Sequence, residues 1–313
     1  MTPVRTVKRV AGFGLVSLLA ATSASAQAWA PPAGQGAFTV AFQAIDNTGH
    51  ILTDGSTVPG GKSQSASIYL EFEYAITDRW SLSTFIPYVF AKFSGPPLPN
   101  VPLQPGDACQ CWQHGWQDFG VAARYNLLNG GTALTPSVAF GVPSHEYGYV
   151  GEAVLGRRLR ELRLGVDVGT YLDAISPRLA VQGRYAYALV ERVLDVSTNR
   201  SSLSADVIVR LTESLSVQGS VYRQITHGGL RAGTEPPPPP DGIPWGEVTT
   251  PELLHEHDRL LRDNSWQLGA GLSYSLPRAD LFVSYIEFLS GSDTHAGRAF
   301  TVGATVPFER SQP

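Results

Sequence analysis

Residues 67–90, SIYLEFEYAITDRWSLSTFIPYVF, indicate the fold class of this 313-residue chain. Apolar and polar side chains alternate on both sides of Thr77–Arg79, and an alternation of period two is typical of β-strands with one apolar face. The short polar break between the two runs is typical of a tight turn. The stretch therefore predicts two antiparallel strands joined by a turn. The apolar faces consist of Ile68, Leu70, Phe72, Tyr74 and Ile76 before the turn, and of Trp80, Leu82, Thr84, Ile86, Tyr88 and Phe90 after it.

The same alternation recurs along the rest of the chain and predicts twelve strands. Charged residues make up 16% of the sequence, below the ~25% of ordinary soluble domains, and an aromatic content of 10% excludes a disordered chain. Beyond the amino terminus no stretch reaches the ~18 consecutive apolar residues of a membrane-spanning helix, which excludes a helical membrane protein. The predicted strands are 38–44, 68–76, 80–90, 119–127, 134–142, 162–172, 179–189, 203–211, 215–222, 266–274, 280–288 and 300–308.

The connections between these strands are alternately short and long. This asymmetry is typical of outer-membrane barrels, which have short periplasmic turns and long extracellular loops. A soluble sandwich gives no reason for every long connection to lie at one end. The sequence therefore predicts an all-β protein, a transmembrane antiparallel up-and-down β-barrel of about twelve strands. The short turns are 77–79, 129–131, 175–177, 212–214 and 277–279, and the long loops are 46–64, 94–116, 143–160, 193–200, 225–264 and 290–297.

The amino terminus has the three parts of a secretory signal peptide. Its basic region, apolar core and cleavage site are, in order, Arg5 to Arg9, residues 10–21 and Ala24–Ala26. We expect cleavage after Ala26, which leaves residues 27–313 as a single barrel domain in the outer membrane of a Gram-negative bacterium. Loss of three cations moves the formal net charge from −4 to −7. The mature protein therefore lacks the basic surface that nucleic-acid binding requires.

The last predicted strand ends at Phe308. This ending resembles the carboxy-terminal aromatic signal by which the barrel-assembly machinery recognises outer-membrane barrels, although the tail 309–313 departs from a terminal Phe. Aromatic residues near the strand ends, Phe308 among them, would form the interfacial girdles of a barrel in a bilayer. Ordinary cross-strand packing is their alternative role. These residues are Tyr74, Trp80, Tyr88, Tyr125, Trp266, Tyr274, Phe300 and Phe308.

If the apolar faces contact lipid, the polar faces line the lumen. Two functions fit their nearly balanced charges: an internal ion-pair network that fills the lumen, or a hydrated channel in which these charges set selectivity. In the third strand Phe85, Pro87 and Val89 would add an apolar stripe to the lumen, unless a bulge around Pro87 changes the face that they occupy. The candidate lumen-lining charges are Glu71, Glu73, Asp118, Arg124, Arg163, Asp167, Arg184, Asp206 and Arg210.

Three segments resemble a known family. Residues 74–82 (YAITDRWSL) and 85–89 (FIPYV) are similar to the Y-G-L-T-D-R-x-x-L…P-Y hairpin of the "MetA-pathway of phenol degradation" outer-membrane proteins. Asp118 with Arg124–Tyr125 is similar to that family's G-D-x-x-L-x-x-K-Y strand, with Gln in place of the first Gly. Residues 140–143 (FGVP) resemble its next strand, which ends in L-P-T-G. The resemblance implies an outer-membrane barrel that takes up aromatic or other hydrophobic small molecules, and it brings no catalytic residues.

The histidines all fall in the predicted long connections, and this placement counts against a barrel phospholipase. Such an enzyme needs a His oriented toward a nucleophilic Ser at the barrel wall, and no predicted strand carries a His. The sequence therefore predicts that the protein is not an enzyme and has no cofactor, although loop residues can also build sites. The histidines are His50, His114, His145, His227, His255, His257 and His295.

Cys109, Cys111 and His114 form a candidate metal site. Two thiolates and an imidazole within one short segment suit a soft metal such as copper or zinc. In an oxidising compartment the alternative is a disulfide, either between the two cysteines or to another molecule.

The longest predicted loop, 225–264, contains Pro236–Pro240, which favours a stiff polyproline II segment. Thr250–Glu252 then has the residues of a helix amino terminus. The leucines that follow it predict a short amphipathic helix, which either folds over the barrel mouth as a lid or lies on the surface.

The sequence thus predicts an outer-membrane channel for passive uptake of small molecules, including aromatic or hydrophobic ones. The alternative is a non-transporting barrel with a filled lumen and a structural or partner-binding role, and a lipid-modifying enzyme is the third hypothesis. The expected partners are outer-membrane lipid, a small-molecule solute and the barrel-assembly machinery.

Overall fold

The computed structural model describes residues 28–58, 62–95, 109–149, 153–231 and 256–309. The predicted signal peptide and the polyproline segment lie outside the described residues. Within the described part of the chain, no helix has the length and apolar character needed to cross a membrane. The elements are β1 (Gln35–Ile51), β2 (Thr57–Val58), β3 (Lys62–Ala75), β4 (Trp80–Ser94), β5 (Gln113–Trp116), β6 (Phe119–Tyr125), β7 (Leu128–Asn129), β8 (Thr132–Val142), β9 (Glu161–Tyr171), β10 (Leu179–Val190), β11 (Thr198–Arg210), β12 (Leu215–Gly228), α1 (His257–Leu260), β13 (Asn264–Ser275), β14 (Asp280–Ser292) and β15 (Thr294–Glu309).

Antiparallel pairing between successive wall strands closes the sheet into a barrel. β1 pairs with β15 from Gln35 opposite Glu309 to Ile51 opposite Thr294, which joins the first strand to the last. β5 and β6 both pair with β4 and together make one wall strand, whereas β2 and β7 are two-residue additions. The wall therefore has twelve strands, and the predicted fold class is confirmed.

The two ends of the barrel differ in their connections. At one end, here called the turn end, β3–β4, β11–β12 and β13–β14 are each joined by four residues. Gln35 and Glu309, the first and last residues of the wall, also lie there. The opposite end, here called the loop end, carries the longer segments 143–160 and 229–263.

Several of the predicted long loops are shorter in the structure. The predicted loop 290–297 is reduced to Asp293, because β14 and β15 continue almost to each other. Likewise β1 extends to Ile51 and β3 begins at Lys62, so most of the predicted loop 46–64 is strand. Beyond the bilayer both faces of a strand contact water, and the alternation of apolar residues then ends while the backbone ladder continues. The alternation therefore marks the lipid-facing part of each strand.

In the barrel wall, apolar side chains face outward and polar side chains face inward, which is the reverse of a soluble protein. In β13, Leu268 points outward and is 52% exposed, whereas the adjacent Gln267 points inward and is 3% exposed. A lipid bilayer requires this order, because the outer surface faces hydrocarbon and the polar side chains find partners in the lumen. Outward apolar residues include Phe38, Phe72, Val121, Phe140, Leu164, Val207 and Phe300, and buried polar residues include Gln43, Glu71, Arg124, Thr135, Asp167, Gln182 and Asp206.

Aromatic side chains lie near both ends of the outer apolar surface. In β4, Trp80 and Tyr88 are eight residues apart, and in β13 Tyr274 and Trp266 have the same separation. At ~3.3 Å per residue this separation is about 26 Å along a strand, and a tilt of ~40° reduces it to about 20 Å along the barrel axis. At the turn end Trp80 packs on Tyr125 with ring centroids 4.8 Å apart. This spacing fits two girdles at the faces of a bilayer.

Candidate functional site in the lumen

Ion pairs link side chains on the inner face of the barrel wall. The Arg124 guanidinium lies 3.0 Å from the Glu73 carboxylate, and Arg184 lies 3.4 Å from Asp167. The buried members of these pairs, Arg124 and Asp167, have side chains only 2% exposed. The pair Arg184–Asp167 joins the neighbouring strands β10 and β9, and Arg124–Glu73 joins β6 and β3, which lie on either side of β4. The charges predicted for the lumen therefore link wall strands as well as forming a polar surface.

The other predicted lumen residues lie at different depths. Glu71 and Asp206 are buried on the inner face, and Arg210 is half-buried at the turn end of β11. Asp118 lies between β5 and β6, and Arg163 lies near the loop end of β9. The sequence predicted these charges for the lumen but gave no indication of which of them would pair.

Asp206 is buried without a basic partner among the described residues. Its carboxylate instead accepts hydrogen bonds from the side-chain amides of Gln182, at 3.1 Å, and Gln218, at 2.8 Å. Two amide donors satisfy part of the hydrogen-bonding capacity of a carboxylate and leave its charge uncompensated by protein. An added positive charge near this carboxylate would therefore be stabilised.

We expect Arg124→Met to lower the free energy of unfolding by about 3 kcal/mol, because it removes the buried cation of this ion pair and leaves the Glu73 carboxylate, which is 15% exposed, without its cation. Lys62→Met is the matched control: Lys62 pairs with Asp46 at 3.0 Å, but its side chain is 46% exposed, so about 0–1 kcal/mol is expected. Urea unfolding in lipid vesicles, followed by tryptophan fluorescence, measures both values. Equal losses would contradict the assignment of Arg124 to a dry part of the lumen.

The inner face of β4 carries the apolar stripe that the sequence suggested. Phe85 and Val89 are 4% and 5% exposed, and the ring of Phe85 stacks on Tyr69 with centroids 5.2 Å apart. The pairing of β4 with β3 continues without a shift through Pro87. A bulge does occur here, but on the other side, where Gln117–Phe119 lie opposite Ile86 and Pro87. The stripe consequently keeps its inward orientation.

Residues 28–32, here called the N-terminal segment, enter the lumen at the turn end. Ala28 is 1% exposed; its carbonyl accepts a hydrogen bond from Thr135 at 2.7 Å, and its amide donates to Gln182 at 3.3 Å. The Trp29 indole N–H donates to the Gly130 carbonyl at 2.8 Å. These contacts hold the segment across the barrel, against strands far from β1.

The lumen leaves space for this segment at an inward-facing glycine. A Cβ at Gly169 would lie 2.7 Å from both the Ala28 Cβ and the Trp29 ring. The sequence analysis missed the N-terminal segment as part of the lumen. The small inward residue on β9 was a signal for it, although the residue type alone does not say what fills the space.

A second segment, residues 153–160 with Tyr147 and Tyr149, narrows the lumen at the loop end. Tyr147 donates a hydrogen bond to Asp118, and Ala153 packs on Ala91 and Phe93. A Cβ at Gly156 would come within 2.9 Å of the Tyr147 hydroxyl, so the close approach of these two parts of the loop favours glycine. The predicted loop 143–160 is therefore partly folded into the barrel.

Tyr149 joins this loop to the segment around α1. Its ring lies between two guanidinium groups, with Arg158 at 4.4 Å and Arg259 at 4.5 Å from the centroid. Its hydroxyl donates to Glu256 at 2.8 Å. Burial, followed by this hydrogen bond and the charge of Glu256, raises the pKa of Tyr149, which keeps the hydroxyl protonated as a donor. The predicted helix in this region is confirmed only as the single turn α1, since its earlier residues lie outside the described chain.

We expect Tyr149→Leu to increase the rate of trypsin cleavage at Arg158 or Arg259 in the folded protein about thirtyfold. The substitution removes a charge-assisted hydrogen bond and two cation–π contacts, which together stabilise the closed loop by about 2 kcal/mol. Tyr187→Leu is the control, because this aromatic residue lies in the β10 wall. Identical cleavage rates in Tyr149→Leu and the unaltered protein would show that Tyr149 does not hold the two segments together.

The candidate metal residues are arranged differently from the sequence hypothesis. Cys109 and Cys111 are joined as a disulfide, one of the alternatives that the sequence left open. In this state neither sulfur is a thiolate that could bind a metal. His114 lies in β5, and its Nδ1 is 2.6 Å from the Tyr88 hydroxyl. The described residues include no group of three or more His, Cys, Asp or Glu side chains arranged for a metal ion. Metal binding by the reduced cysteines stays a prediction.

The histidine placement corrects one sequence argument. Strands do carry His residues, namely His50, His114, His227 and His295, because the strands extend beyond their apolar sections. His227 Nε2 lies 2.8 Å from the Ser201 hydroxyl at the loop end. A catalytic triad also requires a group that orients the other ring nitrogen, and within the described residues His227 has no such hydrogen-bond partner. Its additional described contact is with the ring of Tyr187, at 5.7 Å.

Comparisons with known proteins identify the fold. No protein-family model matches the sequence. No curated protein matches it either. An outer membrane channel from Pseudomonas putida F1 has a similar structure, with a TM-score of 0.65 over 90% of this chain and 98% of that chain, at 14% sequence identity. The translocator domain of the autotransporter NalP from Neisseria meningitidis gives 0.50 over 89% and 90%, at 10% identity. The chain therefore has the fold of outer-membrane β-barrels.

Proposed function

We propose that the protein is an outer-membrane channel through which small, weakly polar molecules, aromatic ones among them, diffuse passively. The observation that carries this proposal is the inner face of β4, where Phe85, Pro87 and Val89 form an apolar stripe in a lumen that also carries many buried polar side chains. A solute with an apolar body and one polar group contacts both surfaces favourably. The similar protein from Pseudomonas putida F1 is described as an outer membrane channel, which supports the same role here.

The location and selectivity of the channel belong to the same proposal. Export through a signal peptide cleaved after Ala26, followed by insertion by the barrel-assembly machinery, would place the aromatic girdles at the two faces of the outer membrane. The pairs Glu73–Arg124 and Asp167–Arg184 would then determine which ions and polar groups pass through the lumen, because each pair presents both signs of charge to a narrow passage.

Reconstitution into planar bilayers and liposomes tests this function. We expect discrete conductance steps, together with liposome swelling that is faster in benzyl alcohol than in glycerol at equal concentration after subtraction of the protein-free rate. Phe85→Ser should reduce the advantage of benzyl alcohol, whereas Phe300→Ser, a matched change on the outer face, should leave it unchanged. Insertion without conductance or solute flux would contradict the proposal.

A filled barrel with a structural or partner-binding role is the second candidate. The N-terminal segment and the segment 153–160 favour it, because they occupy the lumen from opposite ends. Silent insertion of a correctly folded, heat-modifiable protein would support this candidate, whereas conductance that depends on these segments would support a gated or narrow channel.

A further inference from the structure

A cavity under the segment 153–160 combines an apolar surface with a cluster of guanidinium groups. It lies in the loop-end half of the lumen and is lined by β4, β6, β8, β9, β10 and β11 together with this segment. Its apolar surface includes Phe85, Leu159 and Val190, which are 4%, 5% and 7% exposed. An apolar body of the size of a benzene ring can therefore contact side chains from two strands and from the loop segment at once.

Three arginines, Arg157, Arg163 and Arg200, line the same cavity. Glu161 accepts hydrogen bonds from Arg163, at 3.1 and 2.5 Å, and also from Arg200. The other acid in the lining is Asp118, which accepts a hydrogen bond from Tyr147. Three cations against two carboxylates leave the cavity with an excess of positive charge.

The guanidinium groups of Arg163 and Arg200 also have N–H donors that Glu161 does not use. Each guanidinium carries five N–H donors, and Arg163 and Arg200 direct three of their hydrogen bonds to Glu161. About seven donors of this pair therefore remain for water or a bound solute. A carboxylate is the matching acceptor, because its two oxygens fit the planar guanidinium in a bidentate pair.

We propose that this cavity binds small monocarboxylates that have an aromatic or other compact apolar body. The inference rests on the proposed function, since it names the solute class for which the lumen has a binding step. The carboxylate pairs with Arg163 and Arg200, and the ring packs against Phe85, Leu159 and Val190. Segment 153–160 covers the cavity from the loop end, and the pairs Glu73–Arg124 and Asp167–Arg184 lie on the turn-end side of the cavity.

Isothermal titration of the detergent-solubilised protein with benzoate, benzyl alcohol and acetate tests the two halves of the site separately. Benzyl alcohol has the ring without the charge, and acetate has the charge without the ring. We expect benzoate to bind at least about tenfold more tightly than either, because a charge-assisted pair and burial of an apolar ring both contribute. Equal binding of benzoate and benzyl alcohol, or of benzoate and acetate, would overturn the proposal.

Substitutions in the lining of the cavity test whether benzoate binds there. Arg200→Gln should weaken benzoate binding about tenfold through loss of a charge-assisted pair, and Phe85→Ala should weaken benzoate but not acetate. Arg223→Gln is the control, because Arg223 packs on the outward-facing Trp266 at 5.2 Å. If Arg200→Gln disturbs the fold, Phe85→Ala still decides between a site here and one elsewhere. Unchanged benzoate affinity in both variants would place the binding outside this cavity.

The titration separates this inference from the channel function. Benzoate binding with silent planar bilayers would contradict the channel and leave the site standing. Conductance without benzoate binding would contradict the site and leave the channel standing. In a conducting protein with the site, benzoate added on the loop-end side should also reduce the current, and Arg200→Gln should require about tenfold more benzoate for the same reduction.

Discussion

Deletion of Ala28–Pro32, with the signal peptide and Gln27 retained, should at least about double the single-channel conductance, because conductance depends on the narrowest cross-section of the pore. In the folded chain this segment lies inside the turn end of the barrel, where Ala28 is 1% exposed and bonded to Thr135 and Gln182. The wall itself begins at Gln35, so the deletion removes lumen contents without removing a strand.

Two single substitutions refine this test in planar bilayers. Trp29→Ala removes the hydrogen bond to Gly130 and the ring contact with Tyr171, whose centroid lies 4.7 Å away, so we expect intermediate or fluctuating conductance. Trp112→Ala is the control, because Trp112 is 48% exposed, just after Cys111 at the loop end. Conductance that is unchanged by the deletion would show that the N-terminal segment does not limit the pore.

Leu268→Arg should lower the free energy of unfolding in lipid vesicles by about 1–3 kcal/mol, the cost of a cation on the lipid face between the interface and the bilayer midplane. Leu268 is 52% exposed on the outer face of β13, between Trp266 and Tyr274 of the two aromatic belts. A soluble protein would show almost no effect at such an exposed position, which makes the substitution a direct test of lipid contact.

Leu276→Arg provides the depth control for this prediction. Leu276 is 44% exposed and follows the last residue of β13, so it lies beyond the belt that contains Tyr274, and a loss of about 0–1 kcal/mol is expected. Chemical denaturation of both variants in vesicles measures the difference. Similar losses at the two positions would remove the basis for placing this surface in hydrocarbon.

The number and order of the wall strands could be predicted because lipid contact imposes a local rule. Every second residue of a lipid-facing strand must be apolar, and this rule is visible in runs such as Ile68–Ile76 and Leu162–Leu172. The same rule assigned Glu73, Arg124, Asp167 and their neighbours to the inner face. It failed beyond the bilayer, where water contacts both faces, and this failure explains the overlong predicted loops and the histidines placed outside strands.

The contents of the lumen could not be predicted from such a rule. The N-terminal segment contacts Thr135 and Gln182, and Tyr149 contacts Arg259 and Glu256. These contacts join residues that are a hundred or so positions apart, and no periodicity relates them. Gly156 and Gly169 hint at close approach, but a glycine does not identify its neighbour.

By itself, then, the sequence determined that this chain forms a closed antiparallel barrel with an apolar outside and a charged inside, because alternation along a strand is a property of adjacent residues. The tertiary structure alone decided which inward charges pair, which segments occupy the two ends of the lumen, and that Phe85 and Arg200 line one cavity. Those outcomes depend on the curvature and register of the whole barrel, which bring distant strands to face each other across the lumen.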